Sequence, residues 1–184
     1  DIRRALIALS PSSQFVLSEL FNYRFHEGNG LTGHSFGNLL ITALERITGS
    51  FEKAVEEAGK ILSIKGKVIP VTLERTHLLA EIDTGTAIKS IRGESNLDRY
   101  RPPNINNGFT VTAVKRIWLE PEVRINPKSE TAIKEAHCII LSPGDLYTSL
   151  IPNLLVKGVK EALKNSKATV IYFVNIMTKY SETA

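Results

Sequence analysis

Three short stretches of this chain hold residues whose chemistry depends on where the backbone puts them. In "GNGLTGHSFGNLL" (28–40) four glycines fall within ten positions, and an apolar run that reads as a helix follows at once. Glycine in a loop costs chain entropy, so it is kept where the backbone needs a positive φ or must come close to something. The N–H groups of such a loop and of the helix start suit an anion, with His34, Ser35 and Asn38 adding polar side chains. A plain turn with close-packed glycines is the competing reading, and a lone glycine-rich turn does not choose between them.

In "SPGDLYTS" (142–149) Pro143 and Gly144 make a sharp turn after the apolar run "CIIL", and Asp145, Tyr147, Thr148 and Ser149 follow at a helix entrance. Hydroxyls and N–H groups there could hold a phosphate, and Asp145 could help bind a divalent cation riding on it. Ordinary helix capping by Asp145, Thr148 or Ser149 would use the same residues. "NIMTKYSET" (175–183) follows "VIYFV" and puts Asn175 and Thr178 at a strand end. In the opening "DIRR", Arg3 and Arg4 could clamp an anion or be surface arginines.

The elements that must position these groups follow from periodicity. "CIIL" and "ATVIYFVN" read as buried parallel strands, and the amphipathic helix "NLLVKGVKEALKNS" between them makes a βαβ unit. Ligand crevices of open α/β sheets lie beyond the carboxyl ends of the strands, so Gly144–Ser149 and Asn175–Thr178 are expected there, with Gly33–Asn38 joining them. Upstream, "DIRRALIALS" predicts a helix with Ile2, Ala5, Leu6 and Leu9 on one face, stopping near Ser10-Pro11. "SSQFVLSELFNYRF" resumes helical spacing through Phe15, Leu17, Leu20, Phe21 and Phe25, and "FGNLLITALERI" through Leu39, Leu40, Ala43, Leu44 and Ile47. Gly49 suits the end of that helix, and Ser50 suits the cap of the next, "FEKAVEEAGKIL".

The character changes at Gly66. "KVIPVTLE", "HLLAEID", "AIKSIRGES" and "FTVTAVKRIWLEP" read as strands, with "DTG" as a turn and residues 96–108 as a long loop. The middle of the chain, about 66–119, is thus a β-rich and antiparallel excursion. "NPKSETAIKEAH" predicts a short helix. The expected fold is α/β: a three-layer α/β/α, Rossmann-like, mostly parallel sheet with this β-rich insertion.

Composition narrows the functions. The chain has 184 residues, 42% hydrophobic and 23% charged, and a net charge of +4, which is globular and mildly basic. Lys and Arg are scattered, so no nucleic-acid patch is expected. The single Cys138 lies in an apolar run and reads as a core residue, and the four histidines lack ligand spacing, so neither a disulfide nor zinc is expected. No haem is expected either. No stretch reaches the roughly 18 apolar residues of a membrane span. No signal peptide opens the chain, and a cytoplasmic protein is the expectation.

Taken in order, "DIRRALIALS", "EGNGLTGHSFGNLLITAL", "GKVIPVT", "SPGDLYTSLIPNLLV" and "VNIMTKYSET" resemble the CofD/YvcK-like family over essentially the whole chain. That family includes 2-phospho-L-lactate transferase and the bacterial gluconeogenesis factor. "KGKVIPVTLERTHLLAEIDTG" and "GES" resemble the gluconeogenesis-factor branch. The resemblance implies a single domain of which the family's N-terminal glycine-loop segment and C-terminal part are missing here. It implies a nucleotide or phosphate pocket built from Arg3, Asn29, Gly33, His34, Ser35, Asn38, Gly144, Asp145, Tyr147, Thr148, Ser149, Asn175 and Thr178. Ser142 and Ser181 stand where the family has glycine. The implied function is a regulatory protein that binds a nucleotide or uridine-diphosphate sugar, linked to cell shape and gluconeogenic growth, with a homodimer as the assembly. The alternative is a Mg²⁺-dependent phospholactyl transferase, in which Asp145 would assist the metal or act as the catalytic group.

Overall fold

The computed structural model describes residues 2–84, 87–100 and 113–177. The chain forms two compact units, residues 1–73 and 74–184.

The described residues of the first unit are helical: α1 (Ile2–Ala8), a 3₁₀ turn (Ser12–Gln14), α2 (Phe15–Asn22), α3 (Phe36–Thr48) and α4 (Phe51–Ile61). Each helix presents an apolar stripe to one core of Leu6, Phe21, Ile41, Val55, Ala58 and Leu62. α1 ends before Pro11, as the spacing predicts. Gly49 ends α3 with φ 69°, its N–H bonded to the Glu45 carbonyl at 2.8 Å, and the Ser50 hydroxyl accepts the Lys53 N–H at 3.4 Å to cap α4.

Two faces differ from the expected ones. On α2, Phe15 is 67% exposed while Phe21 is fully buried, because Leu17 and Phe21 share the face that meets the core and Phe15 lies about a third of a turn away from it. On α3 the inward stripe is Gly37, Leu40, Ile41 and Leu44, and Ile47 is 79% exposed. Ile47 and Ile41 are six positions apart, which on a 3.6-residue repeat turns Ile47 well away from Ile41.

The second unit contains a three-stranded antiparallel sheet in the order β2–β1–β3, from β1 (His77–Asp83), β2 (Ile88–Arg92) and β3 (Ala113–Glu120). Central β1 pairs on both sides, Ala80 lying opposite Ile91 and Ile117. Leu78, Ala80 and Ile82 alternate onto the buried face with Ile91. Leu97 of α5 (Glu94–Arg99) joins them. Part of the expected 96–108 loop is therefore helix, started at Gly93 and anchored by burial of Leu97. Residues 101–108 of that expected loop, and 109–112 of the strand expected after it, lie outside the described residues.

"KVIPVTLE" is not a strand but irregular backbone. Pro70 has no N–H to give to a ladder, which breaks the pairing its apolar neighbours suggest. α6 (Pro127–Glu135) is the expected short helix. β4 (Cys138–Leu141) and β5 (Thr169–Tyr172) pair in parallel, Ile139 opposite Val170, and α7 (Ile151–Leu155) and α8 (Val159–Asn165) lie between them in sequence. Among the described residues the antiparallel sheet occupies the expected β-rich stretch and β4–β5 is a parallel pair as expected, so the fold is mixed α/β. The strands expected to be buried are open: Cys138 is exposed rather than in the core, and Ile140, Val170, Ile171 and Tyr172 are each 40% exposed or more.

Candidate functional site

In the first unit, the glycine loop is tied back by a short antiparallel bridge between Arg24 and Ser35. The Phe25 N–H donates to the His34 carbonyl at 3.0 Å, and the Gly33 N–H donates to the Phe25 carbonyl at 2.8 Å. Gly33 sits at φ 86°, a conformation a side chain would strain. Its carbonyl accepts the Arg24 guanidinium. This pinned loop delivers the chain to the start of α3.

There Ser35 is a helix cap. Its buried hydroxyl accepts the Asn38 N–H at 3.4 Å. His34 and Asn38 are exposed beside it, as is Asn29 further back in the loop. Gly37 allows a close approach: a Cβ there would stand 2.7 Å from the Phe21 carbonyl oxygen and 2.9 Å from Arg3 Cδ. Arg3 is therefore packed directly under the first turn of α3. It is only 8% exposed, and its Nη1 donates to Asn22 Oδ1 at 2.5 Å. Burial lowers the Arg3 pKa below its ordinary value, and the positive charges of Arg4 and Arg24 lower it further. The helix start thus carries the positive end of the α3 dipole together with the field of three arginines. Asn22 and Arg24 were missed as site residues in the sequence, where they are unremarkable positions in a helical run. Only the folding of the loop brings Arg24 to Gly33.

In the second unit, the "SPGDLYTS" turn becomes a π-helical turn, Leu146–Leu150, running into α7. The Asp145 carbonyl accepts both the Ser149 N–H at 2.9 Å and the Leu150 N–H at 3.0 Å. The Asp145 carboxylate makes no capping bond to the backbone; Thr148 Oγ1 lies 3.5 Å from its Oδ2. Thr148 is buried, Ser149 is exposed, and Tyr147 packs against the Leu78 cluster. Asn175, just past β5, donates from Nδ2 to the Gly144 carbonyl at 2.8 Å. The ends of β4 and β5 thus come together through Gly144 and Asn175. Thr178 and Ser181 lie outside the described residues.

No group of three or more His, Cys, Asp or Glu gathers among the described residues. Asp145 and Thr148 offer one carboxylate and one hydroxyl. That donor set fits Mg²⁺, which is commonly held by one or two carboxylates, water and the oxygens of a bound phosphate. No helix among the described residues is long and apolar enough to cross a membrane.

The chain is 47% identical over 187 residues to a relative from Aquifex aeolicus, covering 100% of this chain and 52% of that protein. It is 42% identical over 185 residues to the gluconeogenesis factor of Bacillus subtilis, covering 100% of this chain and 54% of that one. A crystal structure of a Bacillus halodurans protein superposes with a TM-score of 0.85 at 38% identity, over 100% of this chain and 55% of that one. The chain spans about half the length of the curated relatives it matches. The model of the family described as 2-phospho-L-lactate transferase CofD matches residues 1–184. The chain belongs to the CofD family, and its curated relatives carry the name gluconeogenesis factor.

Proposed function

We propose that the protein binds a nucleotide or nucleotide-sugar through its phosphates, as a regulatory binding protein of the gluconeogenesis-factor type. The observation that carries this reading is the positive field at the start of α3. Arg3 is buried beneath the helix's first turn, Arg4 and Arg24 act on it, and the pinned loop opens at His34 and Asn38. Burying a cation beside two others is unfavourable in the free protein, and an incoming dianion would relieve that repulsion. Within the second unit taken by itself, Asp145 and Thr148 would hold a Mg²⁺, with Asn175 keeping that turn in place through Gly144. A Rossmann-like three-layer arrangement around β4 and β5, a cytoplasmic location, a homodimer and a role in cell shape and gluconeogenic growth belong to the same reading.

The second reading, a Mg²⁺-dependent phospholactyl transferase, is favoured by the description of the matching family. A transferase must hold an acceptor hydroxyl in line and stabilise developing charge, in addition to binding phosphates. Incubating the family-length protein and Mg²⁺ with a uridine-diphosphate sugar, and separately with a phospholactyl-guanosine donor plus deazaflavin acceptor, separates the two. Calorimetric binding of the sugar nucleotide without its consumption is the expected result. Multiple-turnover product in the second mixture would establish the enzyme instead.

A further inference from the structure

We propose that Asn29–Gly30 is a self-modifying site: in the folded protein Asn29 deamidates spontaneously, through attack by the Gly30 backbone nitrogen. The reaction does not depend on what the site binds. The two residues stand at the centre of a turn. The Gly28 carbonyl closes that turn around them, accepting the Leu31 and Thr32 N–H groups at 3.4 Å and the Thr32 hydroxyl at 2.9 Å. Gly30 takes φ 85°, the positive value that the third residue of such a turn reserves for glycine. Asn29 and Gly30 are both exposed, and among the described residues nothing bonds to the Asn29 side chain or to the Gly30 N–H.

Asparagine is a chemically labile residue. Its deamidation needs a free carboxamide, a free amide nitrogen on the next residue, and room for the two to meet. The Gly30 nitrogen loses its proton to water or hydroxide and bonds to Asn29 Cγ. The Cγ–Nδ2 bond breaks and Nδ2 leaves as ammonia, which closes a five-membered imide. Water then opens the ring. Opening at Cγ gives aspartate, and opening at the main-chain carbonyl gives isoaspartate, with the backbone running through the former side chain. One water is consumed and one ammonia released, and nothing is oxidised or reduced. Glycine puts no Cβ beside the attacking nitrogen, and even a Cβ built on Gly30 would meet nothing within 4 Å, so the approach is open.

Other asparagines are held where this one is not. Asn96, Asn153 and Asn175 donate from Nδ2 to backbone carbonyls at 2.8, 2.7 and 2.8 Å. Asn22 Oδ1 accepts the Arg3 guanidinium. Asn126 is buried and precedes Pro127, whose nitrogen has no proton to lose. Conversion of Asn29 adds a negative charge to the loop. The isoaspartyl form also adds a methylene to the backbone between Gly28 and Leu31, which shifts the N–H groups that close the turn away from the Gly28 carbonyl.

The test is incubation of the family-length polypeptide that contains these residues, in heavy-oxygen water at neutral and mildly alkaline pH, with a parallel sample held unfolded in urea. Peptide mapping by mass spectrometry reads each asparagine separately, Asn107 beside Gly108 included, and an isoaspartyl methyltransferase assay reads the rearranged product. The expected result is conversion of Asn29 to acid with uptake of heavy oxygen, isoaspartate among the products, and a rate that rises with pH, while Asn96, Asn153 and Asn175 stay intact. The rate in the folded protein should match that in urea. Asn29→Gln, which would have to close a six-membered ring, should abolish conversion at this position. A rate at Asn29 that rises sharply on unfolding would overturn the inference, because the folded loop would then be shielding the bond. Conversion no faster than at Asn96 in the folded protein, or acid formed without isoaspartate, would overturn it as well.

Discussion

Gly37→Ala tests the packing that brings Arg3 beneath α3. The added Cβ would stand 2.7 Å from the Phe21 carbonyl oxygen, 2.9 Å from Arg3 Cδ and 3.1 Å from Arg3 Cγ. The oxygen belongs to the backbone of a residue with no exposed surface, so it can withdraw only if α2 and α3 separate. Overpacking of this kind costs about 1–3 kcal/mol. Replacing glycine within a helix returns up to about 1 kcal/mol of propensity, and less in a first turn. A net loss of about 1–2 kcal/mol is expected, read as a lower urea midpoint at constant slope. Phosphate affinity should fall as well, because the displaced atoms carry the Arg3 guanidinium. Gly59→Ala is the control. Its nearest contact, Ile64 Cδ1 at 2.9 Å, is the end of a side chain that can rotate away, so its midpoint should move little or rise. A Gly37→Ala protein as stable as wild type, with unchanged phosphate affinity, would refute the claim that this glycine sets the α2–α3 approach and the seat of Arg3.

Other changes separate architecture from binding. Ser35→Ala removes the cap of α3 and should cost about 0.5–2 kcal/mol in chemical denaturation. Asp145→Asn keeps the carbonyl that closes the π-turn, so thermal melts should match wild type while calorimetry shows weaker Mg²⁺-dependent ligand binding. Asn175→Ala removes the bond to Gly144, an interaction of about 0.5–1.5 kcal/mol, and should loosen ligand binding more than it lowers stability. If the arginine field attracts the phosphates, affinity measured by titration should fall steadily as salt rises from low to physiological strength, and salt-independent binding would contradict that role.

Much of this protein is local in origin. The stop of α1 before Pro11, the end of α3 at Gly49, the caps at Ser35 and Ser50 and the alternation of β1 each depend on residues within a turn or two. Their backbone demands are met by neighbours in sequence, so the sequence alone determines them. The same holds for family membership, because the polar segments recur in order along the whole chain. Long-range packing decided the rest. Whether Phe15 or Phe21 points inward on α2 depends on where the next helix lies: the two are six positions apart and face different ways, and the sequence does not say which face meets a neighbour. Pro70 ended an apparent strand because a ladder needs a donor where none exists. Arg24 became part of the candidate site only through the loop closure that sets it against Gly33, and Arg3 only because Gly37 lets α3 descend on it. The apolarity of β4 and β5 was plain in the sequence, yet their exposure was not: composition determines how much surface a segment seeks to bury, while only the neighbours assembled in three dimensions determine whether it is buried.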